Sequence, residues 1–146
     1  MGRNVLLLYM SIFNKNPKIR TQTQTNEGAV RYLIEEGETP DCILALCSEK
    51  VRKKAEVEMP DGSTCTTLEY FRDALRRVGI PAERLVVIEV PDSMDDEKKQ
   101  FQAISQLLEK IEKEDTLFVD LSGGMRDVAM LLVTVARCMR DLRDVQ

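Results

Sequence analysis

The segment Asp115–Asp127 carries the pattern with the clearest chemistry in the chain: an apolar strand-like run, then Ser122 and the pair Gly123–Gly124, then an apolar helical pattern from about Met125. Adjacent glycines let an anionic group approach the backbone closely, because no Cβ is in the way. A helix that begins there presents free N–H groups and the positive end of its dipole. Arg126 adds a guanidinium that can bind phosphate oxygens in pairs. We therefore predict a site for a phosphorylated ligand.

Small or polar residues also follow the other three predicted strands, Asn4–Met10, Asp41–Cys47 and Arg84–Val90. In chain order, the candidate ligand-binding residues outside the glycine segment are Ser11, Ile12, Phe13, Asn14, Lys15, Ser48, Lys50, Asp92 and Ser93. Thr25 is a good N-cap for the helix that follows the first strand.

Helical patterns alternate with the four predicted strands, the last of which is Thr116–Leu121. These helices cover about Asn26–Glu36, Ser48–Glu56, Thr66–Val78, the stretch from Ser93 to about Lys113, and Met125–Arg143. The alternation predicts one α/β domain over residues 1–146, Rossmann-like, with a mainly parallel sheet between two layers of helices. Ligands in such folds bind beyond the carboxyl ends of the strands, where the strand order reverses.

Two helices carry apolar stripes from which contacts can be predicted. In the helix before Lys113 the inner stripe is Phe101, Ile104, Leu107, Leu108 and Ile111. The last helix is apolar on nearly all sides, as expected of a helix covered on more than one face. Its surplus apolar face is a candidate seam for a homodimer and consists of Val128, Leu132, Val135 and Met139.

Composition and charge exclude several classes of function. The formal net charge is −4, so we expect no binding to duplex nucleic acid. The absence of histidine excludes Ser-His-Asp and Cys-His hydrolysis and H-E-x-x-H metalloprotease chemistry. The four cysteines lack C-x-x-C spacing, so we interpret them as reduced thiols of a cytoplasmic protein without a metal site. We expect no signal peptide, no membrane segment and no cofactor.

The set of motifs resembles that of the CARF domains, the CRISPR-associated Rossmann-fold family, over essentially the whole chain. The resemblance is carried by Leu6–Asn14, by Thr25-Asn26-Glu27, and by Asp120-Leu121-Ser122-Gly123-Gly124-Met125-Arg126. In that family the last motif is usually Asp, an apolar residue, Thr or Ser, then Gly-Gly or His-Gly, then a basic or polar residue.

The resemblance implies a homodimer whose paired pockets bind a cyclic oligoadenylate, with cyclic tetra-adenylate favoured. Type III CRISPR systems make this messenger during antiviral defence, and its binding regulates an attached or partner effector. Ser11, Phe13 and Asn14 match the loop after the first strand, and Ser122–Arg126 match the phosphate-facing loop. Thr25 and Asn26 match the start of the first helix, and the resemblance adds both to the ligand-binding candidates. The chain departs from the family in having no effector motif, since R-x-x-x-x-H needs histidine, and in ending where members usually add strands.

Two alternative functions follow from the same residues. A ring nuclease would cleave the messenger by attack of a ribose 2′-OH on its own phosphate, without metal or histidine, and Ser11 and Arg126 would be its catalytic candidates. A generic Rossmann-like regulatory domain would bind a mononucleotide or flavin, although the G-x-G-x-x-G of dinucleotide sites does not follow the first strand.

Overall fold

Four apolar strands form a parallel sheet at the centre of the fold. The computed structural model describes residues 2–11, 24, 26–55, 57–59, 61–94, 96–122, 130 and 132–137. In these residues the strands are β1 (Asn4–Tyr9), β2 (Cys42–Cys47), β3 (Val57–Glu58), β4 (Thr64–Cys65), β5 (Leu85–Glu89) and β6 (Thr116–Asp120). The main sheet has the order β5-β2-β1-β6, and β3 and β4 form a separate antiparallel pair.

Helices cover both faces of this sheet. They are α1 (Asn26–Glu35), α2 (Glu49–Lys53), α3 (Thr67–Arg77) and α4 (Glu97–Lys110), and residues 130 and 132–137 are also helical. Alternate residues of β1 point to opposite faces: Leu6 and Leu8 pack with α1, α2 and α3, whereas Val5 and Leu7 pack with α4. The structure thus confirms the predicted Rossmann-like α/β fold, and both faces of its central strands are buried.

The strand order reverses between β1 and β6. From β1 the chain moves to β2 and then to β5 on one side, and it returns across the sheet through α4 to place β6 on the other side of β1. The two strands pair in parallel from Asn4 with Thr116 to Leu8 with Asp120. Their carboxyl ends therefore meet at the switch point, where open α/β sheets bind ligands.

The helix α3 begins where the sequence predicts it. Thr66 and Glu69 form a reciprocal capping box, in which Thr66 Oγ1 accepts from Glu69 N at 3.1 Å and a Glu69 carboxylate oxygen accepts from Thr66 N at 3.4 Å. Gly79, with φ of +87°, follows the helix and lets the chain turn toward β5.

Two predictions about these elements were wrong, and one element was not predicted. The predicted helix Ser48–Glu56 ends at Lys53, and the hairpin of β3 and β4 was missed because strands of two residues show no periodicity. Phe101 is 69% exposed, while Ala103 is buried. Two residues along a helix amount to about 200°, so these side chains point in nearly opposite directions.

The predicted dimer seam is also corrected. Leu132 and Val135 are buried in the core with β1 and α4, so they are not available to a partner. They pack in the core because they lie on the side of this helix that faces the sheet. Val128 and Met139 lie outside the described residues.

At the amino end of the sheet, Gly2 lies against the backbone of Glu114. A Cβ at position 2 would be 1.7 Å from the Glu114 carbonyl oxygen, whereas a Cβ at Gly28 in α1 would meet nothing within 4 Å. Glu114 has a positive φ of 71°. Two residues later, Thr116 N donates to the Arg3 carbonyl oxygen at 2.8 Å, immediately before β1.

We expect Gly2→Ala to lower the free energy of unfolding by about 1–3 kcal/mol, because backbone must move to admit the methyl group. Gly28→Ala is the matched control and should raise it by about 0.5–1 kcal/mol, since alanine is favoured inside a helix. Urea unfolding of both variants measures the difference. Equal stabilities of the two variants would contradict the close approach at Gly2.

A partly buried ion pair holds the same end of the sheet. Arg3 Nε donates to Asp115 Oδ1 at 3.1 Å and Arg3 Nη2 donates to Asp115 Oδ2 at 2.9 Å. Asp115 is 1% exposed and also accepts from Glu112 N at 2.8 Å. Burial alone would raise the pKa of Asp115, but the hydrogen bonds from Arg3 and Glu112 and the charge of Arg3 outweigh it and lower the pKa.

This lowered pKa predicts a specific pH dependence of stability. The contribution of ionised Asp115 is present above the unfolded-state pKa of about 3.9 and is lost as the pH falls through the lower folded-state value. We expect Asp115→Asn to be less stable than the wild type at pH 7, with the difference shrinking below about pH 4. Urea unfolding between pH 7 and pH 2 measures this. Asp73→Asn, which removes an exposed pair with Arg77, should change stability by less than about 1 kcal/mol throughout.

Candidate functional site

The predicted site residues divide into those that the structure describes and those outside the described residues. Ser11, Asn26, Ser48, Lys50, Asp92, Ser93 and Ser122 are described. The remaining predictions lie outside the described residues and concern Ile12, Phe13, Asn14, Lys15, Thr25, Gly123, Gly124, Met125 and Arg126.

A buried hydrogen-bond network joins the ends of β1 and β6, and Asn26 is at its centre. Asn26 is 0% exposed and is the first residue of α1. Its Oδ1 accepts from Ser11 N at 3.0 Å, and its Nδ2 donates to Tyr9 O at 3.3 Å and to Asp120 Oδ2 at 2.6 Å. One side chain of α1 therefore bonds to both strands at the switch point.

Asp120 continues this network beyond the end of β6. Its Oδ1 accepts from Ser122 N at 2.8 Å and also from the Ser122 hydroxyl. A carboxylate that accepts from the amide two residues later forms a tight local turn. Asp120 thus shapes the backbone immediately before the two glycines, while its other oxygen is held by Asn26.

Gln24 is a member of the network that the sequence did not indicate. It is 1% exposed, its Nε2 donates to Ser11 O and Ser11 Oγ, both at 3.1 Å, and also to Asn26 Oδ1. Its Oε1 accepts from Asn26 N at 2.8 Å, so it caps the first turn of α1. Glutamine is not a usual capping residue, and Gln24 lies in a polar stretch without periodicity. Its place two residues before a helix start is the only signal that could have found it.

These contacts separate residues that position the site from residues that face it. The polar atoms of Asn26 are fully engaged within the protein, so Asn26 holds neighbouring groups in place rather than offering atoms to a ligand. Ser122 is exposed and Ser11 is half-buried, and they lie at the ends of the two strands that meet at the switch point. Their hydroxyl groups are therefore the described groups best placed to contact a ligand there.

A second polar group lies at the ends of β1, β2 and β5. The Tyr9 phenol and the Ser48 side chain are both buried there. Burial raises the pKa of Tyr9, and the neighbouring Ser48 hydroxyl opposes the shift only in part. Asp92, which is exposed, accepts from Lys50 N at 2.9 Å and so caps the start of α2. Ser93, the next residue, is also exposed.

Cysteine chemistry does not contribute to this edge of the sheet in the described residues. Burial raises the pKa of Cys47 to about 12, which keeps the thiol protonated and unreactive. Cys42 and Cys65 are also free thiols with raised pKa values, again because of burial. In the described part of the chain, no cluster of acidic residues and cysteines is arranged to hold a metal ion.

Within the residues that the structure describes, no helix combines the length and the apolar character needed to cross a lipid bilayer. Comparison with known proteins gave no match to any protein-family model and no match to a curated protein.

Proposed function

We propose that this protein is a homodimeric sensor that binds a cyclic oligoadenylate, with cyclic tetra-adenylate as the first candidate, and regulates an attached or partner effector in type III CRISPR antiviral defence. One observation carries the proposal. Asn26 and Asp120 belong to two of the motifs that resemble the CARF domains, and Asn26 Nδ2 donates to Asp120 Oδ2 at 2.6 Å at the carboxyl ends of β1 and β6, where the strand order reverses. This supports a ligand site built jointly from the loops after β1 and β6.

The ligand would be held mainly by backbone and by one cation. In this proposal the N–H groups of Gly123–Met125 and the Arg126 guanidinium bind phosphates, as their sequence pattern predicts. The hydroxyls of Ser11 and Ser122 bind ribose or base edges. With a net charge of −4, the chain has no general attraction for a polyanion, so a local cation carries much of the affinity.

The proposed dimer follows from the symmetry of the ligand. A cyclic tetra-adenylate has its own two-fold axis, so two copies of the site related by a molecular dyad can contact it identically. The described core uses Leu132 and Val135 within one copy, so the dimer contact must lie elsewhere.

We expect the wild-type protein to bind cyclic tetra-adenylate with a stoichiometry of one ligand for each dimer. Native mass spectrometry with cyclic tri-, tetra- and hexa-adenylates measures ring size, stoichiometry and dimer formation together. Failure to bind any of the three would contradict the proposal. Linear products after incubation would show that the messenger is also cleaved, as a ring nuclease would do.

Arg126→Gln should weaken this binding by about 10- to 100-fold, which corresponds to the loss of one charge-assisted contact of about 1.5–3 kcal/mol. Arg137→Gln is the matched control, because it removes the same charge from an exposed position on the helical residues 132–137. The control should change affinity by less than about twofold, since exposed distant charges are largely screened. Calorimetry of both variants measures the difference, and equal effects would contradict the role of Arg126.

A further inference from the structure

In the described residues, the segments that follow β1 and β6 are connected through side chains rather than through backbone pairing. Parallel pairing of the two strands ends at Leu8 and Asp120. Beyond this pair, the connection that the described residues make runs from Ser11 through Asn26 to Asp120, and from Asp120 to Ser122. Every member is a hydrogen bond with a defined donor and acceptor.

The donor and acceptor atoms of the Asn26 amide fix the direction of this series of hydrogen bonds. Its oxygen accepts from Ser11 N at 3.0 Å on one side, and its nitrogen donates to Asp120 Oδ2 at 2.6 Å on the other. Turning the amide over would place oxygen against carboxylate and nitrogen against N–H, so both contacts would be lost together. Asn26 and Asp120 are 0% and 7% exposed, and water cannot easily replace the lost bonds.

We propose that Asn26 is a positioning residue that couples the two loops, so that the geometry of Ser11 on one side of the site depends on that of Ser122 on the other. The coupling follows from the contacts alone, and its consequence for ligand binding rests on the proposed function. Because Asn26 is fully buried, it acts on a ligand only through the residues that it holds.

Exchanging the two partners tests this coupling in the intact chain. Asn26→Asp places two carboxylates in contact and removes the donor to Asp120. Asp120→Asn leaves one amide oxygen for two donors, Asn26 Nδ2 and Ser122 N, so one of these donors loses its acceptor. The double variant Asn26→Asp/Asp120→Asn restores a donor and an acceptor between the two positions in reverse, without the contact to Tyr9 O. We expect each single variant to bind cyclic tetra-adenylate at least about tenfold more weakly, because the loops are no longer held together. The double variant should recover a large part of the loss.

Asn4→Asp is the matched control. Asn4 lies at the opposite end of β1, where its Nδ2 donates to Glu38 Oε2 at 3.3 Å and to Thr39 O at 3.4 Å. The same change of residue there should leave binding within about twofold of the wild type, since its side chain makes these contacts at the far end of the strand.

Amide hydrogen exchange without ligand gives a second readout that is independent of the proposed function. Ser122 N is bonded to Asp120 and not to Asn26, so faster exchange of Ser122 N–H in Asn26→Asp reports transmission along the network. Coupling is reciprocal, so Asp120→Asn should likewise speed exchange of Ser11 N–H, which is bonded to Asn26. Asn4→Asp should change neither amide.

The outcomes separate the two proposals. Transmitted changes in exchange together with absence of cyclic tetra-adenylate binding by the wild type would support the coupling and reject the proposed ligand. Changes confined to the amide next to each substitution, with additive effects in the double variant, would overturn the coupling. If the single variants do not fold, recovery of fold in the double variant supports the pairing, and failure to recover overturns it.

Discussion

The hydrogen bond between Asn26 and Asp120 is the interaction on which the candidate site depends. Parallel strands bring their carboxyl ends to one edge of a sheet, but they do not determine how the loops beyond that edge lie relative to each other. Here the first residue of α1 supplies a buried amide that bonds to the ends of β1 and β6 at once. In such a low-dielectric setting these bonds are strong, and their loss would leave buried groups without partners.

The opposite end of the same strand pair is held by different chemistry. Arg3 and Asp115 form an ion pair with two hydrogen bonds there. Gly2 lies so close to the Glu114 carbonyl oxygen that a Cβ at position 2 would collide with it. The pairing of β1 with β6 is thus anchored at both ends. This matters for function because the two loops at the switch point can be positioned accurately only if the strands that carry them do not slide.

The fold and the polar edge of the sheet could be predicted from the sequence. Which of the polar residues are buried and hold others in place, and which are exposed, could not be predicted. Apolar strand runs alternating with amphipathic helices predicted the layers correctly, because periodicity reports which faces are buried. The same patterns placed Phe101 in the core and gave Leu132 and Val135 a second role at a dimer seam, and the structure corrects both. The only local signal at Gln24 is its place two residues before a helix start, and its bonds to Ser11 depend on how the intervening loop folds back.

What the sequence determined by itself is local: the order of strands and helices, the start of a helix near Thr66, and the set of polar residues that follow each strand. Such features depend on near neighbours along the chain, so composition and spacing report them. Only the tertiary structure decided that Asn26, which the sequence presented as a ligand-binding candidate, is fully buried and bonded to Asp120. The contact between Asn26 and Asp120 depends on the path of the chain, which returns through α4 and places β6 beside β1. Two residues so far apart in sequence come together only because of this crossover.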